Sequence, residues 1–326
     1  MTDQRAEDAR RRADEKDHLP TAKTAARSKA PLPQSVDVAI VGAGTGGLCA
    51  GAYLARAGLK VALFDSHYVA GGCATRFARG SSGERYQFDV GLHYVGDCGP
   101  GGITDRVLAP LDLGIDWLEM DPDGFDQLVF PDFTFRIPAD VAVYRQRLLD
   151  LFPQERRGID RYLRLVRELN SVGKTIYASD GKIGLPQLFH IVTKARLLAF
   201  NQHATAAKFL DSCTSNKQLR AVILGQHGDY GLPPSEVSAL LHAGLANHYF
   251  GGAYYPRGGG QVLSDGMADA IEAAGGSIHL RTGIERILVE GGRAVGVRTE
   301  PRKGQQQDVR AKLVLSNADI KKTLLE

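Results

Sequence analysis

The sequence predicts an α/β protein in which a Rossmann-type domain is split by an inserted, mainly helical domain with a small sheet. Three observations predict it. Residues 36–65 read as strand, glycine loop, helix and strand in that order. The middle, about 105 to 251, is dominated by helical periodicity, and strand-rich α/β sequence returns over about 252 to 326.

Val36 to Val41 is a short, nearly all-apolar run, the pattern of a strand buried on both faces of a parallel sheet. It enters Gly42-Ala43-Gly44-Thr45-Gly46-Gly47, a G-x-G-x-x-G loop with an additional Gly46. Gly42 allows the tight turn, Gly44 lets a diphosphate approach the backbone, and Gly47 permits close helix–strand packing. The helix that follows offers free N–H groups and a positive dipole end to phosphate. Lys60 to Phe64 makes the second strand, closed by Asp65, an acid placed to accept hydrogen bonds from a ribose. A glycine loop alone also occurs in plain βαβ units. The complete ordered set with its terminal acid selects dinucleotide binding, with Gly42, Ala43, Gly44, Gly46, Gly47 and Asp65 as candidate ligands. On this reading Asp65→Ala weakens cofactor binding and leaves the stability of the cofactor-free protein unchanged.

A second small-residue loop, Ala70-Gly71-Gly72-Cys73-Ala74-Thr75, follows directly, and a nicotinamide Rossmann unit does not need one there. Then come Phe88-Asp89-Val90-Gly91-Leu92-His93-Tyr94-Val95-Gly96 and, much later, Asn247-His248-Tyr249-Phe250-Gly251-Gly252-Ala253-Tyr254-Tyr255-Pro256-Arg257-Gly258-Gly259. These segments resemble the carotenoid and phytoene desaturase family of FAD-dependent oxidoreductases, and within it the retinol saturase branch. The resemblance implies FAD as cofactor, with Gly71, Gly72 and Thr75 along the diphosphate and ribityl chain and Ile284 meeting the adenine through its backbone. It implies redox at carbon–carbon double bonds of an apolar polyene (a retinoid or carotenoid), with His93 or Tyr94 near the flavin ring as proton donor or acceptor. NAD(P)H is the candidate electron donor. A carotenoid isomerase, or a non-catalytic dinucleotide-binding fragment, is the alternative. Proteins of this family continue past Ser316-Asn317-Ala318-Asp319 to a glycine-rich motif over the flavin, and the 326 residues here do not include it. A fragment and a shortened relative are both expectations from that departure.

Beyond about Thr104 the composition changes. Phe125 to Phe130 and Phe133 to Ile137, separated by Pro131-Asp132, read as a hairpin. Phe133, Phe135 and Ile137 share a face that either floors a substrate cavity or belongs to an ordinary core. Asp140 can cap a helix running to Phe152, and Pro153 begins another. Leu185 to Phe200 reads as one helix, either packed on its own domain or dipping into a bilayer interface. Asp211 to Gly225 is a further helix, Ser235 caps the next, and Met267 to Ala274 follows the second glycine cluster. Ser277 to Arg281, a pair at 283–289 and 294–299, and a buried strand at Leu313 to Leu315 close the α/β part. His248, Tyr249 and Tyr255 either line a substrate or pack as aromatics. Asp89 is read as a turn residue. The domain bounds are therefore 1–34 as a disordered tail, 35–104 and 252–326 as the split FAD-binding domain, and 105–251 as the substrate domain.

The chain is long enough to bury a sizeable core, and its 43% hydrophobic content suits a globular protein. Its net charge of +3 is too small to argue for nucleic acid. Cys49, Cys73, Cys98 and Cys213 form no C-x-x-C pair, so no metal site or redox disulfide is indicated. A second G-x-G-x-x-G and a paired-cysteine motif are both lacking, which excludes a pyridine-nucleotide disulfide reductase. Without an apolar leader or a run of about 18 apolar residues, the expected location is cytoplasmic, with peripheral membrane contact as the variant. The oligomeric state is left open.

Overall fold

The computed structural model describes residues 26–27, 29–80, 86–179, 184–301 and 305–325. The chain forms two compact units. One comprises the N-terminal part to His93, Val107–Leu118 and Tyr255–Glu326, and the other Tyr94–Arg106 and Glu119–Tyr254. The sequence-based bounds differ at two crossings. Val95 pairs with Tyr254 and Gly96 with Ala253, which takes 94–106 into the helical unit. Leu111 is buried in the core of the α/β unit.

The α/β unit is built on a six-stranded sheet ordered Ser277–His279, Val61–Phe64, Ser35–Val41, Asp308–Ser316, Arg293–Thr299, Ile284–Glu290. Its first four strands are parallel and the last two are added antiparallel. Val38 and Ile40 face Leu48, Ala52, Met267 and Ile271, whereas Ala39, Ala62 and Phe64 face Val297 and Val309. Burial on both faces is why these two strands carry no polar alternation. The helices Thr45–Arg56 and Gly260–Ala273 cover the first face. A Cβ on Gly51 would stand 2.9 Å from Leu63 and 3.1 Å from Ile271, so glycine there lets the helix lie close to the sheet.

Three expectations need correction here. Residues 1–25 and 28 of the anticipated tail lie outside the described residues, but its end is ordered. Arg27 is buried, bonded to Glu272 at 2.9 Å and Asp269 at 2.8 Å, and its carbonyl accepts from Leu280 N–H. Three carboxylates on one helix face, with Asp265 at 3.9 Å, offset the desolvation of that guanidinium. The last strand is longer than three residues, and its Leu313 is exposed rather than buried. The Gly260–Ala273 helix begins inside the glycine cluster, seven residues ahead of Met267.

The helical unit packs the Asp126–Val129/Thr134–Ile137 hairpin against helices Val141–Leu151, Arg156–Ala178, Ala206–Asp211, Lys217–Ile223 and Ala239–Tyr249. Asp140 caps the first of these, accepting from Ala142 and Val143 N–H at 2.6 and 3.0 Å. Phe135 and Ile137 are buried in this core, and Phe135 meets Tyr144 edge-on at 5.5 Å. Phe135 and Ile137 therefore belong to the core, and Ile137 also lines a small cavity within it, together with Phe125, Tyr144, Tyr162, Gln226 and Tyr249. The 185–200 segment is two helices, Leu185–Lys194 and Arg196–Asn201, broken at Ala195. The anticipated 211–225 helix starts later, at Lys217, where Asn216 caps it. Ser238, not Ser235, caps the helix that contains His248 and Tyr249.

Candidate cofactor site

The site is built at the carboxyl ends of the parallel strands Ser35–Val41 and Val61–Phe64. Gly42 turns the chain with φ +97°, its N–H donating to Phe64 O at 2.8 Å. Gly44 is the N-cap of the Thr45–Arg56 helix, whose first turn carries no acid. A Cβ on Gly47 would sit 2.1 Å from Gly42 O, so no other residue fits this crossing. The second glycine loop lies directly on the first: Gly71 N–H donates to Ala43 O at 2.8 Å, and a Cβ on Gly72 would stand 3.2 Å from Gly44 Cα. Gly71 and Gly72 have φ of +132° and +58°, conformations that favour glycine.

Asp65 ties both loops to the strands. Its Oδ2 accepts from Ala43 N–H at 2.7 Å and its Oδ1 from His67 N–H at 2.8 Å. Its own carbonyl accepts from Thr282 N–H at 2.8 Å, which brings the segment leading into the Ile284–Glu290 strand beside it. Thr75 is buried, its hydroxyl donating to Gly72 O at 2.9 Å. It holds the loop's shape rather than presenting a free hydroxyl.

A third set of residues clamps the second loop from behind. Ser264 Oγ donates to Ala74 O at 2.9 Å and Gln261 Nε2 to Ala70 O at 3.0 Å, both from the Gly260–Ala273 helix. Asp89 fixes the beginning of that helix: Oδ1 accepts from Gly260 N–H at 2.9 Å and Oδ2 from the Tyr255 hydroxyl. Burial and the adjacent Asp89 carboxylate push the Tyr255 phenol up to about 12. Gly91 N–H donates to Cys73 O at 3.1 Å and Arg76 to Gly258 O at 3.0 Å. Asp89 thus does more than fix a turn, joining segments 171 residues apart. Above the first loop, the Asn317 side chain stands where Cβ atoms on Gly44 and Gly46 would meet it, at 3.1 and 2.7 Å.

A model of the FAD dependent oxidoreductase family matches residues 37–321. The chain belongs to that family. Among its relatives, the all-trans-retinol 13,14-reductase of Danio rerio is 33% identical over 304 residues, covering 89% of this chain and 48% of its own length. A 4,4'-diapophytoene desaturase of Methylomonas is 27% identical over 288 residues, covering 87% and 53%. A solved oxidoreductase of Methanosarcina mazei superposes with a TM-score of 0.54 at 20% identity, covering 86% of this chain and 58% of that one, which supports the fold. The chain spans about half the length of the curated relatives it matches.

The residues present fit FAD. Side chains at Gly44, Gly46, Gly47 and Gly72 would run into Asn317, Gly42 O and Gly44 Cα, so glycine is what lets the two loops lie bare against each other, and the helix that follows carries no acid in its first turn. Each Asp65 oxygen has one lone pair left for a ribose hydroxyl. Gly42, Ala43, Gly44, Gly46, Gly47, Asp65, Gly71, Gly72 and Thr75 come together as one unit. Ile284 lies two residues past Thr282 and packs towards the Phe64–Val297 core.

The two candidate proton-transfer residues have different surroundings. His93 is exposed. Tyr94 lies in the helical unit, where its hydroxyl donates to Asp126 at 2.8 Å and accepts from Gln226 at 2.9 Å. Its ring meets Tyr249 edge-on at 4.7 Å. Burial, and then the neighbouring carboxylates, raise the Tyr94 phenol well above its ordinary value and keep it protonated. His248 Nε2 accepts from Gly96 N–H at 2.8 Å, leaving the proton on Nδ1, 3.7 Å from Asp97. Gln261, Ser264 and Asn317, and the bond by which Tyr255 holds Asp89 instead of lining a substrate or only packing, escape a reading of sequence, because each acts on a loop far away in the chain.

Proposed function

We propose that this protein is an FAD-dependent oxidoreductase acting on carbon–carbon double bonds of an apolar polyene, a retinoid or a carotenoid. The observation that carries the reading is the 33% identity to an all-trans-retinol 13,14-reductase over nearly the whole chain. The desaturase similarity at 27% supports the wider substrate class. Bound in the glycine cradle, FAD supplies hydride chemistry at such a bond.

The chain's own residues provide the rest. The Gly42–Gly47 loop and the helix behind it stabilise the diphosphate with backbone N–H groups. Asp65 accepts from the ribose, and the Ile284 backbone meets the adenine. Gly71, Gly72 and Thr75 shape the path beyond, held by Ser264, Gln261 and Asp89. His93, exposed and without the hydrogen-bonded anchoring of Tyr94, is the better placed of the two to deliver a proton to a substrate carbon. Tyr94 positions the start of the helical unit. NAD(P)H is the proposed source of electrons.

The test begins with the visible spectrum of protein reconstituted with FAD. Flavin-loaded protein is then incubated with retinoids and carotenoids, with and without reductant, and the products are separated. A bound flavin spectrum and saturated or desaturated polyenes are expected. Turnover of small polar amines with polyenes untouched would overturn the substrate class, and tight NADH binding without flavin would overturn the cofactor.

A further inference from the structure

The Leu185–Lys194 and Arg196–Asn201 helices turn large apolar side chains to solvent. Leu185 is 82% exposed, Phe189 71%, Val192 61% and Phe200 88%. Leu185, Leu188, Phe189 and Val192 follow the i, i+3, i+4, i+7 spacing of a single helix face. This is not the face that holds the helices to their unit. Ala195 is buried, while Leu197 and Leu198 pack on the core, and Leu198 N–H donates to Glu168 at 2.9 Å. A contiguous apolar stripe of this kind, outside the core, marks an interaction surface.

The charges along this stretch of the chain say which kind. Between Glu168 and Asp211 the sequence carries Lys174, Lys182, Lys194, Arg196 and Lys208 against a single carboxylate, Asp180. Lys174, Lys194, Arg196 and Lys208 are exposed. Arg106 adds a guanidinium 5.4 Å above the ring of Tyr177, itself partly exposed at the end of the preceding helix. Leucine and phenylalanine on one face with lysine and arginine beside them suit the boundary between acyl chains and anionic headgroups. We infer that this helical pair is a docking surface for an anionic phospholipid bilayer. The inference does not depend on which reaction the cofactor site performs.

Flotation with phosphatidylcholine vesicles, with and without phosphatidylserine, tests it. The protein should float with the phosphatidylserine vesicles and bind less as salt rises. Replacing two exposed aromatics, Phe189→Ser with Phe200→Ser, should lower partitioning about tenfold or more, given the apolar area withdrawn from the lipid. Lys194→Glu with Arg196→Glu should lower it about tenfold on anionic vesicles and leave neutral ones unaffected. Val129→Ser, an exposed apolar site on the hairpin, should change nothing. All variants should keep the parent's melting temperature, since none removes a core contact. Protein that stays unbound at every composition, or variants that float like the parent, would overturn the inference. So would a concentration-dependent dimer that vesicles do not dissociate and that the double serine variant abolishes.

Discussion

Asp65 is engaged in the fold before any cofactor arrives, because its two oxygens cap Ala43 and His67. The simple expectation that Asp65→Ala leaves the cofactor-free protein untouched is therefore revised. Losing both charge-assisted bonds should cost about 1–3 kcal/mol of stability without FAD, and FAD affinity should drop as well. Thermal melts of flavin-free protein, paired with FAD titrations, separate the two effects. Equal melting of parent and variant without FAD would show that the two backbone bonds carry no weight. Asp89 has the analogous role on the other side of the cradle. Tyr255→Phe removes one donor and should cost about 0.5–1.5 kcal/mol, whereas Asp89→Ala also frees Gly260 N–H and should cost more. If Tyr255→Phe proved the costlier change in denaturant titrations, the clamp would be assigned wrongly.

At the scale of elements, what could be read in advance is what local chemistry determines. The strand, loop, helix and strand at 35–64 follow from steric demands that only glycine meets. Gly47→Ala tests this: a methyl 2.1 Å from Gly42 O must push helix from strand, at a cost of about 1–3 kcal/mol. A shifted denaturation midpoint with an unchanged slope is expected, and an unshifted midpoint would mean that the crossing is looser than it stands. Asp140 was readable for the same reason, since its cap is local. What escaped involves distant partners. The Gly260–Ala273 helix starts where it does because Asp89 accepts from its first N–H, and no spacing within 258–260 announces that. The break at Ala195 interrupts a continuous apolar pattern, with Glu168 fixing the second helix from another element.

At the scale of the whole chain, two units with separate cores could be read from the change in composition, but not their bounds. The crossings at 94–106 and 107–118 depend on strand pairing and on one buried leucine. Separate cores allow unfolding in more than one step, and each holds a histidine that burial keeps below its ordinary value, His242 in the helical unit and His279 in the α/β unit. His242 is buried in the helical unit, its Nδ1 3.2 Å from the Tyr230 hydroxyl and its ring 5.9 Å from that of Tyr162. Burial, and then the charge of His227, hold it down to about 4, against about 6.5 in the unfolded chain. Between those values only the unfolded chain takes up the proton. Stability is thus complete above about pH 6.5 and falls as pH drops towards 4, by up to about 1.4 kcal/mol per pH unit and about 3 kcal/mol in all. The Arg145–Asp160 pair, whose carboxyl is held below 3.8 by its arginine, loses its contribution only at lower pH, outside this window. Melting followed by tyrosine absorbance at pH 7, 5.5 and 4.5 should show stability falling across this window. His242→Phe, which cannot titrate, should flatten that fall, and an unchanged slope in the variant would place the acid sensitivity elsewhere.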